Sequence, residues 1–192
     1  MSDGIEKLRE DLEILEEMAA EMDSYLKSDV LFWPMAKGNM PRLTLGGYLM
    51  RQHRLVELKE LLSDDEKARL DAAVKQFNEA LVEKIVRLEQ RANQELEARL
   101  RQWGEYLNDL ARESGSSTAY YATAVEPRVM IAALVNKLKL PPYRLESRIP
   151  EQIAMYDNNL RRRWQSGDFV WPEGWRAAYP EGSYWYLYGR PK

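Results

Sequence analysis

The sequence predicts a mainly α-helical protein, an elongated helical bundle organised on one very long helix, with a small aromatic-rich cap. The first observation behind this prediction is the stretch from residue 63 to residue 114, which contains no proline and a single glycine, Gly104. The second is the crowding of aromatic residues near the C-terminus, where ten of the twenty lie at or beyond Tyr156.

The long stretch has the apolar period of a straight α-helix. Apolar side chains recur in it about every 3.6 residues, at Leu70, Val74, Phe77, Leu81, Ile85, Leu88, Ala92, Leu96, Leu100, Trp103, Leu107 and Leu110. Ser63 and Glu66 have the spacing of a capping box at its start. A helix of this length is longer than a domain of this size is wide, so it must bend, protrude or be covered from outside.

The middle of this predicted helix is mostly charged and carries only a narrow apolar seam. A narrow seam fits one partner helix better than it fits a broad core. We therefore expect a homodimer that forms along the long helix. The candidate interface residues are Leu88, Ala92, Leu96 and Trp103.

The other helices follow from apolar periodicity and from residues that begin or end helices. One amphipathic helix is expected from about residue 3 to residue 26, and others over about 44–62, 118–139 and 150–167. Thr44 is the expected cap of the second. Gly46 and Gly47 in its first turn have two interpretations: they allow close backbone packing, or their amides receive an anion.

Residues 28–44 and the C-terminal tail are expected to form the aromatic-rich β or irregular cap. Residues 30–33 are a short apolar run that ends at Pro34, and residues 184–188 have strong β propensity. Two pairings fit residues 30–33: a hairpin with residues 40–44 around the Gly38-Asn39 turn, or pairing with a strand at residues 184–188. Residues 1–167 then form the helical bundle and residues 168–192 form a cap packed on it, within a single domain overall.

Composition excludes several classes of protein. The 192 residues include no cysteine, which excludes disulfides, thiolate metal sites and a cysteine nucleophile. No run of eighteen apolar residues is present, so no transmembrane helix and no membrane partner are predicted. The first residues lead into an acidic amphipathic helix rather than into a signal peptide, and we expect a cytoplasmic protein.

Motifs for catalysis and for metal binding are lacking. His53 is the only histidine, so the paired Glu-x-x-His motifs of a di-iron bundle cannot form, and His53 is expected at the surface. The sequence contains no Walker loop, no dinucleotide fingerprint and no serine in a Gly-x-Ser-x-Gly turn. We therefore predict no catalytic residue, no metal and no cofactor.

The net charge of -3 conceals a gradient along the chain. Residues 1–30 carry ten acidic and three basic side chains, whereas residues 128–192 carry eleven basic and six acidic ones. Arginines neutralise phosphates and aromatic rings stack on bases. The nucleic-acid candidates are therefore Arg161, Arg162, Arg163, Trp164 and Arg190. The first three would also complement the C-terminal dipole of their own helix.

Three functions follow, in this order. The first is a non-catalytic protein-interaction or scaffold module that self-associates through the long helix. The second is a nucleic-acid-associated protein that uses its basic, aromatic C-terminal third. The third is an enzyme with a carboxylate-lined pocket, because a sequence with this many acidic residues does not show which of them converge.

Overall fold

The computed structural model describes residues 2–112 and 119–192, and within them the protein has seven α-helices and one two-stranded sheet. The helices are α1 (Ser2–Lys27), α2 (Leu45–Glu57), α3 (Asp64–Leu81), α4 (Ile85–Arg112), α5 (Tyr121–Ala124), α6 (Glu126–Leu138) and α7 (Arg148–Arg161). The strands are β1 (Trp164–Phe169) and β2 (Tyr188–Pro191). The mainly α fold class with an aromatic C-terminal cap is confirmed.

The first layer of the bundle consists of α1, α2 and α3. Helix α1 packs against both of the others, and its apolar stripe is buried at Leu8, Leu12, Leu15, Met18 and Met22, as its periodicity predicts. Thr44 caps α2 by accepting a hydrogen bond from the amide of Gly47. The capping box of Ser63 and Glu66 begins α3. The stripe of α1 and these two helix starts are local features, and all three agree with the sequence.

The second layer consists of α4, α6 and α7. Helix α6 packs against both α2 and α4, which joins the two layers, and α7 packs against α4. The dense apolar residues of α6 are buried, as expected, and Pro127 lies in its first turn. The bundle therefore has one continuous core that extends through both layers.

The continuous helix predicted over residues 63–114 is wrong, because the chain breaks it between α3 and α4. Glu83 has a left-handed backbone with φ of 62°, although the segment contains neither glycine nor proline. Lys84 follows the break, and its ammonium donates to the carbonyl of Ala80, at the end of α3, and pairs with Asp23 of α1 at 2.6 Å. The predicted end at Ser114 and the cap at Gly115 lie outside the described residues.

The strand pairing also differs from the prediction. Strand β2 pairs with β1 in antiparallel register, with Trp164 opposite Pro191 and Gln165 opposite Arg190. Trp33 forms a single antiparallel bridge with Leu43, as in the local hairpin, and does not pair with residues 184–188. The segment 28–44 lies at the C-terminal end of α1, where the indole of Trp33 donates to Glu21.

The C-terminal tail lies at the opposite end of α1. The indole of Trp175 donates a hydrogen bond to the carbonyl of Gly4 over 2.9 Å. The two segments that were expected to form one cap are therefore separated by most of the length of α1, which keeps them from pairing.

Candidate functional site

The four interface candidates on α4 are fully buried within the single chain. Leu88, Ala92, Leu96 and Trp103 each have 0% exposure. Helices α6 and α7 pack on α4, and segments of α1 and α2 also contact it. The cover that we expected from a second copy thus comes from the same chain, and these four side chains are not available to a partner.

The nucleic-acid candidates, in contrast, come together at one place. Arg161, Arg162 and Arg163 end α7 directly before β1. The β1–β2 pairing places Arg190 opposite Gln165, and the amide of Lys192 donates to the carbonyl of Arg163. Two segments that are distant in sequence therefore form one basic surface.

We call this surface the basic junction, and it consists of Arg161, Arg162, Arg163, Arg190 and Lys192. All except the half-buried Arg163 are exposed. Among the residues that the structure describes, none of the five forms an ion pair. Their charge is therefore not neutralised by carboxylates of the same chain.

Gly189 makes this arrangement possible. Its φ is 138°, and a Cβ at this position would lie 2.2 Å from the carbonyl oxygen of Gln165. Only glycine allows the two strands to approach this closely. The residue beside Arg190 thus determines how near the C-terminal cations lie to the end of α7.

Two tryptophans border the basic junction. The half-buried rings of Trp164 and Trp185 are edge-to-face, with centroids 5.3 Å apart. The guanidinium carbon of Arg161 lies 3.8 Å from the centre of the Trp185 ring. Trp185 was not among the candidates predicted from the sequence, because residues 184–188 have the β propensity of a strand. With four aromatic residues in five positions, the sequence of this segment does not single out Trp185.

The other aromatic residues of the tail form a core rather than a stacking surface. They are all buried, at Trp171, Trp175, Tyr179, Tyr184, Tyr186 and Tyr188. The clustered aromatic residues therefore belong to a core along most of the tail, and Trp185 is the exception among residues 168–192. The reason lies in Arg54 of α2, around which several of these rings are arranged.

Arg54 is buried between α1 and the tail. Its guanidinium pairs with Asp11 at 2.5 Å, donates to the hydroxyl of Tyr179, and lies 3.8 Å from the centre of the Trp175 ring. Burial raises the pKa of the Tyr179 phenol to about 12, so this hydroxyl stays protonated at neutral pH. A cation of the chain itself fills the aromatic cage, which leaves no room there for a ligand.

His53 is half-buried rather than at the surface, which corrects the sequence expectation. Its Nε2 lies 2.8 Å from the carbonyl oxygen of Ala178, and its ring contacts Tyr179 and Tyr184. Within the described residues, no group of three or more histidine and acidic side chains is placed to hold a metal ion. His53 therefore belongs to the packing of the tail on α2.

The carboxylate-lined pocket of the third hypothesis has one counterpart, a cleft along α4 lined by Glu89, Glu97 and Glu146. Each of these carboxylates has a partner. Glu89 accepts from the amide of Arg144, and both Glu97 and Glu146 pair with Arg148. The contacts of Glu89 and Glu97 join α4 to residues 144–148.

The first turn of α2 resolves the two interpretations of its paired glycines. The amide of Gly46 donates over 2.8 Å to the buried carboxylate of Glu95, which is also paired with Arg99. A Cβ on Gly46 would lie 2.6 Å from Glu95 Oε1. The close packing and the anion are thus both present, and the anion is a side chain of α4.

Comparison with known protein families, with curated proteins and with solved structures finds no match to this chain. In the part of the chain that the structure describes, no helix is both long enough and apolar enough to cross a membrane.

Proposed function

We propose that the protein binds single-stranded nucleic acid through the basic junction. The observation that carries this proposal is the convergence of Arg161, Arg162, Arg163, Arg190 and Lys192 at one place without ion-pair partners in the described chain. Each such cation that contacts a phosphate releases condensed counterions, which is the main source of affinity for nucleic acids. We expect a cytoplasmic location for this function.

The bordering tryptophans favour single strands over duplexes. Trp164 and Trp185 are half-buried, so part of each ring remains accessible beside the cations. Unpaired bases can stack on such rings, whereas bases within a duplex cannot reach them. The position of Arg161 over the Trp185 ring is compatible with this binding, because a guanidinium on an indole face keeps its N–H groups free for phosphate.

The charge distribution of the whole protein also favours binding of a polyanion at the basic junction rather than elsewhere. The net charge is -3, and the excess of acidic residues lies in the first thirty positions, on α1. A polyanion is repelled by α1 and attracted to the basic junction, which restricts binding to one part of the surface.

Fluorescence anisotropy with labelled single-stranded and double-stranded oligonucleotides tests the proposal, at low and at physiological salt. We compare the wild type with Arg161→Ala/Arg162→Ala/Arg163→Ala. The matched control is Lys27→Ala/Lys37→Ala/Lys75→Ala, which changes the net charge equally at three exposed positions.

We expect wild-type affinity for single strands to fall steeply with salt, and the arginine variant to lose at least about tenfold in affinity while the control keeps it. Equal losses of affinity in the two variants would mean that net charge, and not the basic junction, determines binding. No binding at low salt would overturn the proposal.

The second candidate function is self-association, and the α3–α4 corner is the observation that favours it. Val82, Ile85 and Val86 are 63%, 44% and 67% exposed, and they lie next to one another on the surface at this corner. Adjacent exposed aliphatic residues are typical of interaction sites. The long helical stretch would then associate through these residues instead of through the buried seam.

Sedimentation analysis over a wide range of protein concentration tests this candidate. We expect a dimer that Val86→Lys converts to a monomer, whereas Val56→Lys, at an exposed valine on α2, has no effect. A monomeric wild type at high concentration would refute self-association.

A further inference from the structure

The cleft between α2 and α6 is separate from the basic junction. It has a volume of about 300 Å³ and is walled by apolar side chains such as Leu49, Val56 and Ala133. Small-molecule sites in proteins begin at about this size and combine apolar walls with a few charged groups. This cleft contains two charged groups of that kind, Lys137 and Glu57.

Lys137 is a half-buried cation without a counter-ion. Its ammonium lies 5.8 Å from the centre of the Phe77 ring and 5.5 Å from that of Tyr143. No carboxylate of the described chain lies within ion-pair distance of it. Burial lowers the pKa of Lys137 from its ordinary value, because the ammonium has lost part of its hydration without gaining an anion.

Glu57 supplies a negative charge to the same cleft. It is exposed at the end of α2 and forms no ion pair within the described residues, including none with Lys137. It acts instead on Tyr184, another lining residue: burial, and then the charge of Glu57, raise the pKa of that phenol. The two charged groups of the cleft thus have different neighbours and form no ion pair with each other.

We infer that this cleft binds a small monocarboxylate with an apolar body. The carboxylate of the ligand pairs with Lys137, and its hydrocarbon chain covers the wall formed by Leu49, Val56 and Ala133. Glu57 sets the specificity, because it repels a second carboxylate at the far end of the ligand and accepts a neutral or cationic end. A ligand carboxylate also provides the counter-ion that Lys137 lacks.

Three six-carbon probes separate the parts of this inference: hexanoate, the dicarboxylate adipate, and 6-aminohexanoate. Their binding is measured by protein-observed NMR titration at neutral pH. The variants are Lys137→Met, which keeps the length of the side chain and removes its charge, and Glu57→Gln. Lys75→Met is the matched control, since Lys75 is exposed on α3.

We expect hexanoate and 6-aminohexanoate to shift resonances of α2 and α6, and adipate to bind at least about tenfold more weakly. Lys137→Met reduces hexanoate affinity by about tenfold or more, and Lys75→Met leaves it unchanged. Glu57→Gln reduces the difference in affinity between hexanoate and adipate.

Equal hexanoate affinity in the wild type and in Lys137→Met would overturn the inference, as would the absence of binding at millimolar probe. Adipate binding as tight as hexanoate would refute the role of Glu57. The triple arginine variant of the basic junction retains hexanoate binding, so the outcome is independent of the proposed nucleic-acid function.

Discussion

The carboxylate of Glu95 accepts a hydrogen bond from the amide of Gly46 over 2.8 Å in the interior of the protein. The first amides of a helix have no partners within the helix, and an acidic group near them is stabilising. Here α4 supplies that group to α2. The contact therefore joins the two layers of the bundle through a helix N-terminus.

Gly46→Ala should destabilise the protein by about 2 kcal/mol, because overpacking in a core outweighs the better helix propensity of alanine. The added Cβ would lie 2.6 Å from Glu95 Oε1 and 3.2 Å from Leu134 Cδ1. Urea denaturation measures the change. Gly174→Ala is the control, since a Cβ at that position meets nothing within 4 Å. Equal stability of the two variants would contradict this account.

Glu95→Gln should change how stability depends on pH. Burial raises the pKa of Glu95 above its ordinary 4.5. The folded protein therefore holds the proton of Glu95 more tightly than the unfolded chain does, and the stability that this difference gives is complete below about pH 4.5. It is lost as pH rises through the folded-state pKa. The wild type should lose stability relative to Glu95→Gln as pH increases above 4.5.

Denaturant midpoints of both proteins across that range measure the difference, with Glu79→Gln as an exposed control. A difference between wild type and Glu95→Gln that does not vary with pH would show that the carboxylate keeps an unshifted pKa.

Arg54→Met should destabilise the protein by about 3 kcal/mol, because it leaves the buried carboxylate of Asp11 with a weaker partner. Arg51 is that partner, at 3.2 Å. Asp11→Asn/Arg54→Met should recover part of the loss, since the unpaired charge is removed as well. Thermal unfolding of the two single variants and the double variant gives the coupling free energy between Asp11 and Arg54. Additive losses would mean that the pair does not act as a unit.

Glu83→Gly should stabilise the protein by about 1 kcal/mol, because glycine adopts a left-handed backbone without the strain that other residues incur. The reference is Glu105→Gly within α4, where glycine costs about 1 kcal/mol. Both are exposed glutamates, so the two changes differ mainly in backbone conformation. If denaturation showed that both variants are less stable than the wild type, residue 83 would have a regular helical backbone, which would contradict this prediction.

The sequence predicted the features that depend on near neighbours. The stripe of α1, the cap at Thr44 and the capping box at Ser63 each involve residues within a few positions of one another. The break at Glu83 has no such local signal, because the apolar period continues through it and the contact of Lys84 is with Asp23 of another helix. Periodicity alone could not show it.

The buried seam of α4 was misinterpreted for a related reason. Arg91 and Glu95 lie on the covered face of this helix and are buried, which made the apolar stripe appear narrow. Arg91 donates to the carbonyls of Ser28 and Val30, and Glu95 accepts from Gly46. Charged residues with such distant partners cannot be distinguished from solvent-facing ones in a sequence.

The basic junction was predictable only in part. Arg161, Arg162 and Arg163 are adjacent in sequence, and their grouping required no tertiary information. The position of Arg190 depends on β1–β2 pairing, whereas the sequence favoured pairing with residues 30–33. The sequence thus grouped the three arginines of one segment, but it did not show which strand brings Arg190 beside them.

The hydrogen bond from Trp175 to Gly4 has a consequence for synthesis of the protein on the ribosome. The aromatic residues that enclose Arg54 and Asp11 are translated long after both of them, because they lie in the segment 171–179. While the nascent chain is still in the exit tunnel, that ion pair remains hydrated, because nothing yet covers it. Complete burial of the pair must therefore follow the release of residue 175 from the exit tunnel.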